Sequence, residues 1–495
     1  MATTPPAPEH APRAALQGNP LAPVWLREPH DANALSAGLW PSSADRAETG
    51  ELTIGGVTAS ALVAEHGTPL YVVDETDARD RATEFRHAFE TEARRIGTTA
   101  RVYYAGKAFL STEVARWMIA DGLNIDVCSG GELQVALAAG VDPSRLGFHG
   151  NNKSLTEIDD ATRVGVGTIV IDSAIEIERV AAAATRHGIV QAVRLRVNSG
   201  VHAHTHEFLA TAHEDQKFGI VLEDAPALVA SIRREPGLRF LGLHGHIGSQ
   251  IFGAEGFAEA ASRLIAVHAA LLADGPVPEL NLGGGFGIAY TSADEPTPTG
   301  ILAAHIIDAV ATECATHDIP LPALAFEPGR AIIGPAGITL YEAGTIKSVD
   351  VNGASRLYVS VDGGMSDNAR TSLYGADYSV RIANRVTDAT PALVRIAGKH
   401  CESGDIVVDS DYLPGDVAPG DLLAVAATGA YCWSLSSNYN YLGRAPVVAV
   451  KDGESRVLVR GETIADLLAR DTGFTSTRHA ADGGQSTTEK KDTAR

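Results

Sequence analysis

Cysteine is scarce in this chain. Among 495 residues there are four, Cys128, Cys314, Cys401 and Cys432, and no two form a CxxC pair. That pattern supports neither a disulfide framework nor a structural zinc site. No run of 18 apolar residues occurs, so no membrane-spanning helix is expected. The first ten residues, MATTPPAPEH, have no basic start and no apolar core, so no signal peptide is expected. Basic residues are also short, with 40 Lys plus Arg against 61 Asp plus Glu and a net charge of −21. So acidic a surface repels nucleic acid and anionic membrane, and neither is expected as a partner. Apolar residues at 45% and charged residues at 20% exclude a wholly disordered chain, a collagen and a coiled coil. The expectation is a soluble, cytoplasmic enzyme of more than one domain. Lysines number only eight, two of them in the polar C-terminal tail, so lysine chemistry has few candidates.

Residues 1–50 carry eight of the 24 prolines and read as an irregular N-terminal arm that could wrap the fold. Residues 476–495 lack large apolar side chains and read as a disordered tail. Between them, short apolar runs begin near Arg101, Asn124, Leu146, Thr168, Val193, Phe240, Glu279 and Ala323. Each is bounded by turn residues, as doubly buried parallel strands are. Amphipathic stretches such as Ser111–Asp121, Glu132–Ala139, Ile175–His187 and Ala254–Ala273 separate them. Eight strands alternating with helices predict a (β/α)8 barrel, placed over residues 83–338. A doubly wound open sheet is the rival, but the Gly-rich turn expected after its first strand is missing. Residues 339–475 alternate at strand period and predict an antiparallel β domain. Strand-like segments within residues 51–82 could pair into that same domain.

Barrel active sites lie at the C-terminal strand ends. The residues there, in order, are Lys107, Asp126, His149, Asp172, Asn198, His244 with His246, Gly283–Gly285, and Glu327 with Arg330. A triple glycine after strand seven lets backbone N–H groups approach an anion, although a plain strand-to-helix turn would look similar. Lys107 ends an aromatic-rich strand, where desolvation would favour a neutral, imine-forming amine. Lys153 and Lys217 read instead as surface lysines in polar loops. A lysine, an anion loop and a carboxylate in one barrel mouth suggest pyridoxal phosphate. Lys107 would carry its aldehyde, the glycine loop its phosphate, and Glu327 its ring nitrogen. His246 could stack on the ring. No metal is expected.

These motifs resemble the diaminopimelate decarboxylases, fold-type III pyridoxal-phosphate enzymes related to ornithine decarboxylase and alanine racemase. The resemblance spans residues 50–472. It rests on YYAGKAF (103–109), DVCSGGEL (126–133), FHGNNKS (148–154), RVNSGVHAHTH (196–206), KFGI (217–220), HGHIGSQ (244–250), NLGGGFGI (281–288) and EPGR (327–330). The later part adds DGGMSDNAR (362–370), LYG (373–375), CESGD (401–405), GAYCWSLSSNYN (429–440) and RGETIADLLARD (460–471). Ser199 and His202 depart from the family's usual proline and aspartate, at positions without a catalytic role in it. The resemblance implies an alanine-racemase-type barrel with a C-terminal β-sandwich or Greek-key barrel. It implies that Lys107 carries the cofactor, with His246, Ser249, Gly284, Gly285, Glu327, Pro328, Gly329, Arg330 and Tyr431 around it. Substrate would meet Arg330, Arg370, Tyr374, Glu402 and Tyr431, and Cys401 would be the catalytic acid. It further implies a homodimer with shared active sites that converts meso-2,6-diaminopimelate to L-lysine and carbon dioxide, the last step of lysine biosynthesis.

The residues agree in kind. Cys401 lies in a Gly- and acid-rich loop, as a reactive thiol would, while Cys128, Cys314 and Cys432 read as small buried hydrophobes. Arg370 and Tyr374 lie four apart, so a helical turn would present them on one face. Two rivals stay open: a decarboxylase of another basic amino acid of the ornithine or arginine type, and a catalytically dead binding paralogue.

Overall fold

The computed structural model describes residues 19–201 and 217–474. The first 18 residues of the arm, the tail from 476 and part of the 196–206 motif, including His202, lie outside the described residues.

The eight apolar runs form eight parallel strands: Ala100–Ala105, Asn124–Val127, Leu146–Phe148, Thr168–Ile171, Gln191–Asn198, Leu238–His244, Glu279–Asn281 and Ala323–Phe326. Each pairs in parallel with the next, and the last pairs back onto the first through Leu324 and Ala100, closing the barrel. The runs are continuously apolar because both faces are covered, by barrel interior on one side and helices on the other. Three of the described barrel helices start where a serine can accept an orphan backbone N–H. Ser111 takes that of Val114, Ser129 that of Glu132, and Ser154 that of Glu157 in a reciprocal capping box. Such a cap contributes about 1 kcal/mol.

The glycine turn after strand seven is pinned from behind. Phe286 follows it and packs edge-on against Phe85, 4.8 Å away, and face-on against Phe257 at 4.7 Å. Aromatic pairs of this kind add about 1 kcal/mol beyond their burial. The main chain of Gly283–Gly285 is therefore held by a core cluster rather than left to the loop.

The second domain is built on the 15-residue strand Gly337–Val351. Most of its pairings are antiparallel, as expected, with two exceptions. Leu357 pairs in parallel with Val394, and Val448 with Val72. The second arises because Leu70–Asp74, which precedes the barrel in sequence, inserts between two strands that follow it. Leu52–Ile54 and Val57–Thr58 instead build a small separate sheet with Asp45–Arg46. Arm residues lie along the β domain: Asn33 Nδ2 donates to Thr387 O and Arg381 Nε to Ala34 O.

Two of the described contacts help fix this domain on the barrel. Glu75, at the start of helix Glu75–Arg95, meets Arg456 at 2.5 Å and Lys451 at 3.4 Å. Next to the site, Tyr431 N–H and Ser434 Oγ both donate to Ala108 O, at 2.8 and 3.0 Å. The second contact fastens the Tyr431 loop onto the turn that carries Lys107. No described helix is long and apolar enough to cross a membrane.

Candidate active site

Lys107 occupies a single 3-10 turn, Gly106–Ala108, directly after strand one. Its neighbours are buried, but its own side chain is exposed in the barrel mouth. The expected desolvation is therefore not observed, because the turn lifts the amine off the packed strand.

Glu327 sits at the centre of the mouth. Asn281 Nδ2 donates to Oε1 at 2.7 Å, and His244 Nε2 lies 3.0 Å from the same oxygen. Asn281 is itself oriented by Gly283 N–H, which donates to its Oδ1 at 2.8 Å. His149 Nε2 stands 3.6 Å from Glu327 and 3.1 Å from Asp126. Burial pushes His149 down to about 4 and lowers His244 too, so both rings are neutral at pH 7. Burial alone would raise Glu327, but the histidines and their N–H groups outweigh it and hold the carboxyl well below the usual range. Burial and the charge on Glu327 push Asp126 the other way, well above its usual value. Of the two carboxyl groups, Glu327 is the one that carries the negative charge.

The glycine turn forms a concave wall beside this carboxylate. A Cβ at Gly283 would lie 2.4 Å from Gly245 O, one at Gly284 2.1 Å from Glu327 O, and one at Gly285 2.5 Å from Gly248 O. Gly283 and Gly285 also have φ of +69° and +111°. No other residue fits there without moving the backbone. Gly284 N–H donates to His246 Nδ1 at 3.3 Å. That bond sets the orientation of the imidazole expected to face the cofactor ring. Burial and the Lys107 charge lower His246 well below its usual value, so it is neutral.

Arg330 begins the short helix Arg330–Ile333, just past Pro328 and Gly329. Its Nη2 donates to Ser249 Oγ at 2.7 Å and its Nη1 to the Tyr290 hydroxyl. The guanidinium lies 4.8 Å from the Tyr431 ring and 5.6 Å from that of Tyr290. Arg370 reaches the same two rings from the β domain, 4.9 Å from Tyr290 and 6.0 Å from Tyr431, and donates to Tyr378 at 2.6 Å.

The remaining β-domain residues are arranged differently. Arg370–Tyr374 is a helical turn, as its spacing predicts, but Arg370 is buried while Tyr374 is 65% exposed. The two do not share an environment, because the turn runs from the core out to the surface. Cys401 and Glu402 lie on an exposed loop tip. Ser372 Oγ donates to Gly404 O at 2.5 Å and joins that tip to the Tyr374 turn.

Three further expectations need correction. Lys153 is not a surface lysine. It is 2% exposed, and its Nζ meets Glu176 at 3.0 Å and donates to Gly150 O and Val170 O. Its partner is a glutamate on helix Ala174–His187, beyond the helix that follows Lys153, which no local pattern reveals. Cys128 is not enclosed in the core but opens onto the mouth. Burial of its surroundings and the nearby Glu132 push its thiol up to about 12, so it stays protonated. Asp172 and Asn198 serve loop structure instead: Asp172 accepts Gly219 N–H of the loop after strand five, and Asn198 accepts Gly200 N–H of its own loop. Asn281, Tyr290 and Tyr378 were not foreseen. Asn281 had a signal, since it ends strand seven, but the glycines beside it drew the reading.

These residues fit pyridoxal phosphate. An accessible lysine amine, a backbone cradle that excludes Cβ atoms and an ionised, donor-stabilised carboxylate occur together in one mouth. His149, His244 and Glu327 also bring ligand atoms within 4.8 Å of one another. Asn281 and His244 already direct N–H groups at that carboxylate, so the cluster is a hydrogen-bonded seat.

Comparison with known proteins agrees. The pyridoxal-binding domain of the pyridoxal-dependent decarboxylases matches residues 78–334. A diaminopimelate decarboxylase of Mycobacterium tuberculosis (strain ATCC 25618 / H37Rv) is 52% identical over 445 residues, covering 88% of this chain and 98% of the relative. One from Corynebacterium efficiens is 46% identical, covering 88% and 95%. The solved diaminopimelate decarboxylase of M. jannaschii in complex with L-lysine superimposes with a TM-score of 0.81 at 30% identity, covering 88% of this chain and 98% of that one. The chain is a member of the diaminopimelate decarboxylase family of pyridoxal-dependent decarboxylases.

Proposed function

We propose that this protein removes the carboxyl group from the D-configured centre of meso-2,6-diaminopimelate, releasing carbon dioxide and L-lysine as the last step of lysine biosynthesis. The observation that carries the choice of substrate is the pairing of Arg330 and Arg370 over the rings of Tyr290 and Tyr431. Two guanidiniums held at one place suit a substrate with two carboxylates, since planar forks pair bidentately with such groups. Ornithine and arginine lack the distal carboxylate. Release of carbon dioxide should therefore be at least about 100-fold faster, as kcat/KM, from meso-diaminopimelate than from lysine, ornithine or arginine. Equal rates on ornithine would overturn the assignment.

In this reading Lys107 carries the cofactor aldehyde. The glycine turn, Ser249 and the Pro328–Arg330 segment would hold its phosphate, and His246 would lie against its ring. When bound, pyridoxal phosphate supplies a sink for the electron pair left as the carbon–carboxylate bond breaks. Glu327, ionised, would hold a proton on the ring nitrogen. Glu402 meets the distal amine, with Tyr374 and Tyr431 bordering the substrate. Cys401 Sγ–H gives its proton to the carbon that has lost carbon dioxide.

The same reading makes the enzyme a homodimer, with the Cys401 loop completing the partner's site. Around that loop lie Leu373 at 60% exposure, Tyr374 at 65%, Tyr439 at 40% and Tyr441 at 63%, a largely aromatic surface suited to burial by a second copy. Mixing inactive Lys107→Ala with inactive Cys401→Ala under subunit exchange should restore activity to about one quarter of wild type. Half the dimers would be mixed, each with one intact site. No recovery despite demonstrated exchange would show that each site is built within one chain. We place the enzyme in the cytoplasm, a reading supported by four cysteines that are all free.

A further inference from the structure

The exposed tip that carries Cys401 is held by an ordered set of bonds that the proposed chemistry leaves unexplained. At its base, Asp405 accepts His400 N–H at 2.7 Å and Met365 N–H at 2.6 Å. At the thiol-bearing residue, Cys401 N–H donates to Asn440 Oδ1 at 3.3 Å. The same oxygen lies 3.2 Å from His400 Nδ1. On the far side of that ring, Nε2 is 2.8 Å from Ser366 Oγ and accepts Ser366 N–H at 3.4 Å. The Tyr439 ring stacks on the imidazole, 5.2 Å away and inclined by 28°.

The partners fix the tautomer. An amide oxygen only accepts, so Nδ1 carries the hydrogen toward Asn440. A backbone N–H only donates, so Nε2 presents its lone pair to Ser366. Asn440 itself stands at φ +51°, a conformation that asparagine tolerates better than most residues. With two N–H groups converging on its Oδ1, Asn440 has one orientation available. Ser366 then leads to Asn368, whose Oδ1 accepts the N–H of Arg370 at 3.2 Å. A single buried imidazole thus links the cysteine loop to the segment that carries a substrate arginine.

We propose that His400, acting through Asn440, is a positioning residue that fixes the Cys401 thiol for proton delivery. The proposal rests on the reading of Cys401 as the proton donor. Cys401, Glu402, Ser403 and Gly404 are all exposed, so side-chain packing does little to orient the thiol. The bond from Cys401 N–H to Asn440 instead fixes the main chain from which the thiol projects. A misplacement of about 1 Å at a reacting group costs on the order of 100-fold in rate.

Two substitutions divide the two ends of the ring. In His400→Asn the amide nitrogen falls near the position of Nδ1 and can still donate to Asn440. In His400→Gln the amide reaches toward Ser366 and abandons Asn440. The expectation is that H400Q and H400A lower kcat by about tenfold or more with KM within about threefold, while H400N recovers most of that loss. The solvent deuterium isotope effect on kcat should rise in H400Q and H400A, because proton delivery becomes slower. A purely structural role would not move it. N440D, which keeps an acceptor, should outperform N440A. Equal kcat in H400Q, H400A and wild type would overturn the proposal. So would equal losses in all three His400 variants that track a fall in Tm without a change in isotope effect. C401A is measured alongside. Full activity in C401A would overturn the proton-donor reading and this proposal together. An inactive C401A beside undisturbed His400 variants would overturn this proposal alone.

Discussion

Lys107→Ala should give a folded protein with no absorbance band from lysine-bound cofactor and a kcat lowered by about 10⁴-fold or more. Folding should survive because the removed atoms are exposed and the turn is held by other groups. Gly106 and Ala108 are buried, and Ala108 O receives both Tyr431 N–H and Ser434 Oγ–H. A surface truncation of this kind changes stability by about 0.5 kcal/mol or less. Activity should not survive, because neither of the other lysines in the barrel loops is placed to take over. Lys153 is locked by Glu176 and two carbonyl oxygens, and Lys217 lies over the Phe218 ring, 4.8 Å from its centre. Absorbance, carbon dioxide release and urea unfolding measured on one preparation separate loss of chemistry from loss of fold. A variant that kept the covalent band and normal turnover would remove Lys107 from its role.

What the sequence reveals follows from how far each signal reaches along the chain. A barrel strand covered on both faces must be apolar throughout and must end in a turn, so all eight declared themselves locally. Their C-terminal ends then placed Lys107, His246, the glycine turn and Glu327 in one mouth without further information. Signals that depend on a distant partner did not show. Lys153 looks like a loop lysine until Glu176, 23 residues later, is folded against it. Arg370 and Tyr374 share a helical turn, but only tertiary packing decides that one is buried and the other exposed. The parallel pairing of Val448 with Val72 joins segments more than 350 residues apart, and strand period alone carries no direction. Asn281 and His400 are ordinary polar residues in sequence. Their importance lies in which atoms they orient.

Glu327→Gln should fold and still bind cofactor, yet turn over about 100- to 1000-fold more slowly with KM little changed. The side chain keeps its shape but loses its charge, so nothing balances the protonated ring nitrogen. The structure also limits how well glutamine can be accommodated. Asn281 Nδ2 donates to Glu327, and Asn281 cannot turn over, because its Oδ1 is taken by Gly283 N–H. The glutamine oxygen must therefore face Asn281, where it also stays 3.0 Å from His244 Nε2, and its NH2 group takes the place of the other oxygen, 3.2 Å from the same nitrogen. There the NH2 group and His244 Nε2–H are both donors, so the bond that Glu327 Oε2 accepts is lost. An unmade buried hydrogen bond costs about 1–3 kcal/mol, which a thermal melt would register as a modest shift and not as unfolding. The neighbouring groups should respond with a definite sign. The charge on Glu327 raises Asp126 and favours protonation of His149 and His244. Without it, Asp126 falls toward its ordinary value and both histidines become harder to protonate. The acid limb of the pH–rate profile should therefore move to lower pH in the variant, in addition to the drop in its plateau. Near-normal decarboxylation by Glu327→Gln, at any pH, would show that the ring nitrogen does not depend on this carboxylate.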